Sequence, residues 1–148
     1  MQAAPLLSAP RPERTQGFWA QAATLAAVAG TVRFYMGIAD ERGLALRRLH
    51  VINRDATLAV STTAYHTFRP FISTVKDGVA TVRYLGAGRG TNTYALGKDL
   101  PLRVHDEEQF NERLPVGAVI GIDVVTTTPT SITAAVVMLQ ASYFYSGG

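Results

Sequence analysis

Apolar and polar positions alternate along most of this chain, and the longest such run sets its frame. From Leu114 to Tyr145, LPVGAVIGIDVVTTTPTSITAAVVMLQASYFY, thirty-two residues carry one charge, Asp123. Val116, Ala118, Ile120, Ile122 and Val124 fall on one strand face, with Val119 and Val125 on the other. A polar break from Thr126 to Ser131 surrounds Pro129, which cannot sit in a central strand. Beyond it, Ile132, Ala134, Val136 and Met138 alternate with Ala135, Val137, Leu139, Ala141 and Tyr143. The pattern predicts two strands and a turn. Both faces of each strand are apolar, so burial by the chain's own sheet or by another subunit is expected.

The same alternation recurs upstream. TVRFYMGIA from Thr31 is a strand, Asp40-Glu41-Arg42-Gly43 a turn, and LALRRLHVI the returning strand. Asn53-Arg54-Asp55 turns into TLAVSTTAYHTF, where Leu58, Val60, Ala64 and Phe68 share a face, and Pro70 marks a break or an edge. Asp77-Gly78 is the strongest hairpin signal, set between Phe71–Val75 and VATVRYL. A short strand near Leu102 to His105 precedes DEEQFNER, a helical turn near 106–113 that Asp106 can cap and Pro115 ends. The stretch from Phe18 to Gly30 is ambiguous: alanine favours helix, the pair Phe18-Trp19 favours strand, and strand is the choice. The expectation is an all-β domain over 17–148. It is a barrel or sandwich of about eight mostly antiparallel strands in largely meander order, with one short helix.

Residues 1–16, MQAAPLLSAPRPERTQ, break this pattern. Pro5, Pro10 and Pro12 exclude regular helix or central strand and favour polyproline-like extension, reaching about 50 Å at about 3.1 Å per residue. Leu6 and Leu7 are its large apolar anchors, so an extended arm that contacts a partner is expected. The uncharged segment Thr15 to Val32 just reaches membrane-spanning length, but Gln16, Gln21, Thr15, Thr24 and many alanines make its apolar drive poor. Arg11 and Arg14 ahead of that run, and Ala27-Val28-Ala29 within it, also resemble a cleavable leader. The segment is read as part of the domain.

At 148 residues, 47% hydrophobic and 17% charged, the chain suits one globular domain rather than a disordered one. Its net charge of +3 does not demand nucleic acid, and zero cysteine removes disulfides and thiolate chemistry. Arginine outnumbers lysine by 12 to 2, which fits interface contacts and fits a GC-rich genome equally well. Arg47 and Arg48, with Arg33, Arg54, Phe34 and Tyr35, suggest an OB-like basic patch. Alternation, however, puts Arg47 and Arg48 on opposite faces. Gly86-Ala87-Gly88-Arg89-Gly90 follows a strand as a dinucleotide turn would, but no helix opens after it and no Gly-Lys-Ser/Thr ends it. A flexible surface or contact loop is the better reading, with Arg89 as a contact residue. His50, His66 and His105 sit on separate elements without metal-ligand spacing, and Asp106-Glu107-Glu108 complement a helix dipole. No nucleophile elbow is present. The sequence points to no enzyme, no cofactor, no metal and no membrane span.

Sixteen threonines, many on strands, suit half-buried contact surfaces. With the arm residues Pro5, Leu6, Leu7, Pro10 and Pro12 and the strands from Thr31 to Tyr145, the architecture resembles the small auxiliary proteins that decorate or cement tailed-phage capsids. The resemblance implies a homo-oligomer, a trimer in that family, on the outside of a virion. It further implies the major capsid protein or other shell subunits as partner, reached through the arm. Phe18, Trp19 and Arg89 join the arm as candidate partner-binding residues. A small-ligand-binding β-barrel and an OB-type nucleic-acid module are the alternatives.

Overall fold

The computed structural model describes residues 16–39, 44–55, 57–106, 113–128 and 135–145. Ten strands follow one another: β1 (Gln16–Leu25), β2 (Gly30–Ile38), β3 (Leu44–Asn53), β4 (Tyr65–Lys76), β5 (Val79–Tyr84), β6 (Arg89–Gly90), β7 (Pro101–Asp106), β8 (Arg113–Leu114), β9 (Val119–Thr127) and β10 (Ala135–Tyr145). One sheet runs β1-β10-β3-β7, with β8 also on β3; the other runs β2-β9-β4-β5, with β6 also on β4. Every strand pair is antiparallel.

This is a sandwich and not a closed barrel, and its order corrects the expected meander. Most connections cross from one sheet to the other, and the β4–β5 hairpin is the main exception. The four main strands of each five-stranded sheet, interleaved in this way, form a jelly roll, two Greek keys folded over one core. The ambiguous stretch from Phe18 is strand. Every residue of β1 pairs with β10 without a register shift. From Gln16 onward the uncharged run is thus divided between the two sheets, and no helix among the described residues is long and apolar enough to cross a membrane. The helical turn near 106–113 lies outside the described residues except at its ends, which belong to β7 and β8. The turn Asp40–Gly43 also lies outside them.

Inward side chains fill the space between the sheets. Leu46, Leu49 and Val51 from β3 and Val137, Leu139 and Ala141 from β10 meet Phe68 and Ile72 from β4 and Ile120, Ile122 and Val124 from β9. The two strands of the apolar C-terminal run are interior strands of their sheets, as the pattern of residues requires. β9 is buried at six of its nine residues. β10 is not: Ala135, Val137, Leu139, Ala141 and Tyr143 are buried, whereas Val136 is exposed and Met138 half-buried on the outer side.

Three local expectations change for identifiable reasons. TLAVSTTA is not strand: β4 starts at Tyr65, and the preceding segment makes one isolated bridge, Leu58 to Leu96, with a further bond from the Ser61 N–H to the Thr91 carbonyl at 3.0 Å. Pro70 neither breaks β4 nor marks a sheet edge. It sits where the strand's second neighbour changes from β6, paired at Thr67 and Phe68, to β5, paired from Phe71 onward. A missing N–H is tolerated in that gap. Arg47 and Arg48 do not straddle the sheet either. The pairing of β3 with β10 shifts at this point, Leu46 and Leu49 both point inward, and the two arginines between them stay off the core.

The turns behave as their chemistry dictates. Asp77 and Gly78 have φ of 53° and 79°, the type I′ geometry that suits the right-handed twist of a hairpin. Asn53 accepts a hydrogen bond on Oδ1 from the Asp55 N–H at 2.9 Å, closing the turn after β3.

Candidate interaction surfaces

The outer face of the β2-β9-β4-β5 sheet carries a polar and aromatic cluster built by strand register. Asp123 on β9 lies directly between Arg33 on β2 and Arg69 on β4. Arg33 donates through Nε to Asp123 Oδ1 at 2.7 Å and through Nη2 to Oδ2 at 2.9 Å, a bidentate fork. The Tyr84 hydroxyl donates to the same Oδ2 at 2.6 Å. Burial pushes the Asp123 carboxyl up, but the hydrogen bonds from Arg33 and Tyr84 and the charges of Arg33 and Arg69 outweigh it and hold the group below its ordinary value. The bond to Asp123 raises Arg33 in turn, against its own desolvation.

Aromatic rings frame these charges. The Arg33 guanidinium is 4.4 Å from the Phe71 ring centre, and that of Arg69 is 4.0 Å from Tyr84. Phe71 is fully buried although it stands on the outer face, edge-on to Tyr35 and Tyr84. It can lie flat because its cross-strand neighbour is Gly121, where a Cβ would stand 2.5 Å from the Phe71 Cζ. The carboxylate is fully hydrogen-bonded and stays ionised near neutral pH, so this cluster is a rigid plate and offers no proton to transfer.

A second surface is the side wall where the edge strands β1 and β2 come together. Phe18 points outward from β1 and is 68% exposed. Its neighbour Trp19 faces the other way: the indole lies against Gly37 of β2, 4.5 Å from the Tyr143 ring centre, and closes the wall between the sheets. Phe18 is thus available to a partner, while Trp19 is held mainly within the domain.

The glycine-rich loop is docked and does not hang free. Gly88 and Gly90 sit so close to the backbone of Phe68 and His66 that neither leaves room for a Cβ, and the backbone N–H of Thr91 donates to the His66 carbonyl at 2.9 Å. Arg89 donates from Nη1 to the Arg103 carbonyl at 2.8 Å and so ties β6 in one sheet to β7 in the other. Together with Thr67, Asn92 and Tyr94 it lines a shallow pocket of about 430 Å³.

The remaining sequence candidates do not converge. His66 is buried in the core with Nδ1 2.9 Å from Thr126 Oγ1 and no partner for Nε2, and burial lowers its pKa. His50 lies on β3, and the His105 side chain is outside the described ones. No group of three His, Cys, Asp or Glu that could hold a metal occurs among the described residues. The OB-like patch does not assemble: Arg33 belongs to one sheet and Arg47 and Arg48 to the other, while Arg54 pairs with Asp99 at 3.2 Å. Asp106 ends β7, and Glu107 and Glu108 lie outside the described residues, as do Pro5, Leu6, Leu7, Pro10 and Pro12 of the arm. Sequence reasoning missed the Arg33–Asp123–Tyr84 cluster. Its signal was the single charge in a strand apolar on both faces, because a buried carboxylate requires a cation.

No family model matches the sequence, and no curated protein does. Among solved structures the chain is similar to chains in two structures of infectious bursal disease virus. The Gx-strain chain is 13% identical with a TM-score of 0.43, and the Gt-strain chain 11% identical with a TM-score of 0.45. Both alignments cover 90% of this chain, but 34% and 32% of the viral chains. It spans about a third of each.

Proposed function

We infer that this chain is a non-enzymatic structural protein of a virion, a decoration or cement subunit. It oligomerises and stabilises a shell through its N-terminal arm and the outer surfaces of its β domain. The observation that carries the reading is a jelly roll with a filled interior. Leu49, Phe68, Ile120, Ile122 and Leu139 occupy the space between the sheets, so the outer faces and side walls are what the domain offers to a partner. Jelly rolls of this kind occur in viral capsid, lectin and cupin domains. The fold alone does not choose among these, since function belongs to sites. A filled interior disfavours a ligand-binding barrel, and a small positive charge split between two sheets disfavours nucleic acid. Apolar side chains left outward on a domain with its own closed core favour assembly. The three-fold symmetry is carried by the resemblance alone.

The test is co-sedimentation of the purified chain with purified shells of the virus in question. The expected result is saturable binding that weakens when residues 1–15 are deleted, with circular dichroism and melting of the truncated chain near those of the intact one. The deletion stops at residue 15 because Gln16 already pairs with Phe144. An intact chain that stays in the supernatant at every shell concentration overturns the reading.

A further inference from the structure

Four long edges close the two sheets among the described strands: β1 and β7 in one, β2 and β5 in the other. An edge strand presents unpaired N–H and C=O groups, and proteins guard such edges with charge, proline, bulges or short length. Three of these four are guarded. β2 carries Arg33 and a register irregularity between Tyr35 and Gly37. β5 and β7 are each six residues long; the first carries Arg83, the second Pro101 and Arg103. β1 has none of these devices. Its ten residues, QGFWAQAATL, hold no charge and no proline, and its ladder with β10 is regular from end to end.

The surface around that edge is apolar. Of the twelve exposed large hydrophobic residues among those described, five lie on β1, on β2 or in the turn between them: Phe18, Val28, Val32, Tyr35 and Ile38. Phe18 stands on the outer face of one sheet and Tyr35 on that of the other, so apolar side chains flank this side of the sandwich on both faces.

We propose that β1 is a self-pairing edge. Two copies of this chain join antiparallel through β1 about a two-fold axis, and their β1-β10-β3-β7 sheets fuse into one. A second copy suits this edge better than the arm of a neighbour. Pro5, Pro10 and Pro12 leave no run longer than four residues in residues 1–12 able to donate throughout a ladder, whereas β1 is ten residues of uninterrupted strand. A neutral edge also meets its own copy without charge repulsion. To keep core faces aligned across the seam, paired residues must share a face. With Ala20 on the axis, Phe18 of each copy falls opposite Ala22 of the other, large against small on both sides. Val32 and Ile38 of the adjoining β2 edges then approach across the same seam. This goes beyond the virion reading, since it concerns the free chain and holds whether or not a shell binds it. It is also two-fold, where the resemblance implies three-fold.

The purified chain is expected to scatter light as a dimer at micromolar concentration. Ala20 is exposed, so Ala20→Lys places a guarding charge on the edge without touching the core; it should halve the apparent mass and leave the melting curve in place. The chain has no cysteine, which makes Ala20→Cys a clean probe. Facing residues of an antiparallel ladder have Cα atoms about 4.5–5.5 Å apart, within the disulfide range of about 4.4–6.8 Å. Oxidation should therefore yield a covalent dimer, whereas Thr81→Cys on the exposed β5 edge should not. A wild-type monomer or trimer overturns the proposal, as does an Ala20→Lys chain that remains dimeric. Should Ala20→Lys fail to fold, failure of Ala20→Cys to cross-link overturns it instead.

Discussion

Replacing Asp123 by asparagine tests whether the outer-face cluster stabilises the sandwich. The carboxylate accepts three hydrogen bonds, at 2.7 and 2.9 Å from Arg33 and 2.6 Å from Tyr84. Bonds to a charged group contribute on the order of 1.5–3 kcal/mol each. The Arg33 side chain is 34% exposed, however, and its share must be discounted for water. The amide keeps one acceptor oxygen, and its NH₂ meets the Arg33 Nε–H in one orientation or both the Arg33 Nη2–H and the Tyr84 hydroxyl in the other. A loss of about 2–3 kcal/mol follows at neutral pH. Trp19 is the single tryptophan, so urea unfolding can be followed by its fluorescence. The variant should shift the midpoint and leave the slope unchanged. The pH dependence supplies a second check. In the folded chain Asp123 titrates below its ordinary value of 3.8, so its contribution is present above that value and is lost as pH falls through the lower folded one. The gap between wild type and Asp123→Asn should therefore be constant near neutrality and close only in strong acid. A loss below about 0.5 kcal/mol, within the ordinary range of surface changes, would refute the argument, as would a gap that already closes above the ordinary value of 3.8.

Gly78→Val should lower stability by about 1 kcal/mol or more, measured by thermal melting, because φ of 79° resists a β-branched residue although nothing lies within 4 Å of the new Cβ. Gly121→Ala should cost more, about 1–3 kcal/mol, since its Cβ would meet both the Phe34 carbonyl and the Phe71 ring at 2.5 Å; an unchanged urea midpoint would contradict the packing of that ring. His66 is buried with its pKa below the ordinary 6.5, so its contribution is present above that value and lost as pH falls through the lower folded one. His66→Leu should abolish the part of the stability slope that begins near pH 6.5, whatever its effect at pH 8.

Features that depend on neighbouring residues were legible along the chain. The alternation of Ile120, Ile122 and Val124, and of Val137, Leu139 and Ala141, identified both interior strands, because a pleated chain places every second side chain on one face. Asp77-Gly78 announced its type I′ turn, because few residues accept two positive φ values in succession. The rest follows from long-range pairing. Which sheet each strand joins depends on pairings across most of the chain, and strands of either sheet show the same local alternation, so a meander and a jelly roll read alike. Pro70 sits inside β4 because two short strands share one flank of it, a fact about β5 and β6. Arg47 and Arg48 both escape the core because the register of β3 against β10 shifts there. Asp123 finds Arg33 ninety positions away, since the two face each other across a ladder that the fold creates. A buried carboxylate needs a partner, a requirement that reading the sequence passed over. Long-range register chose which one.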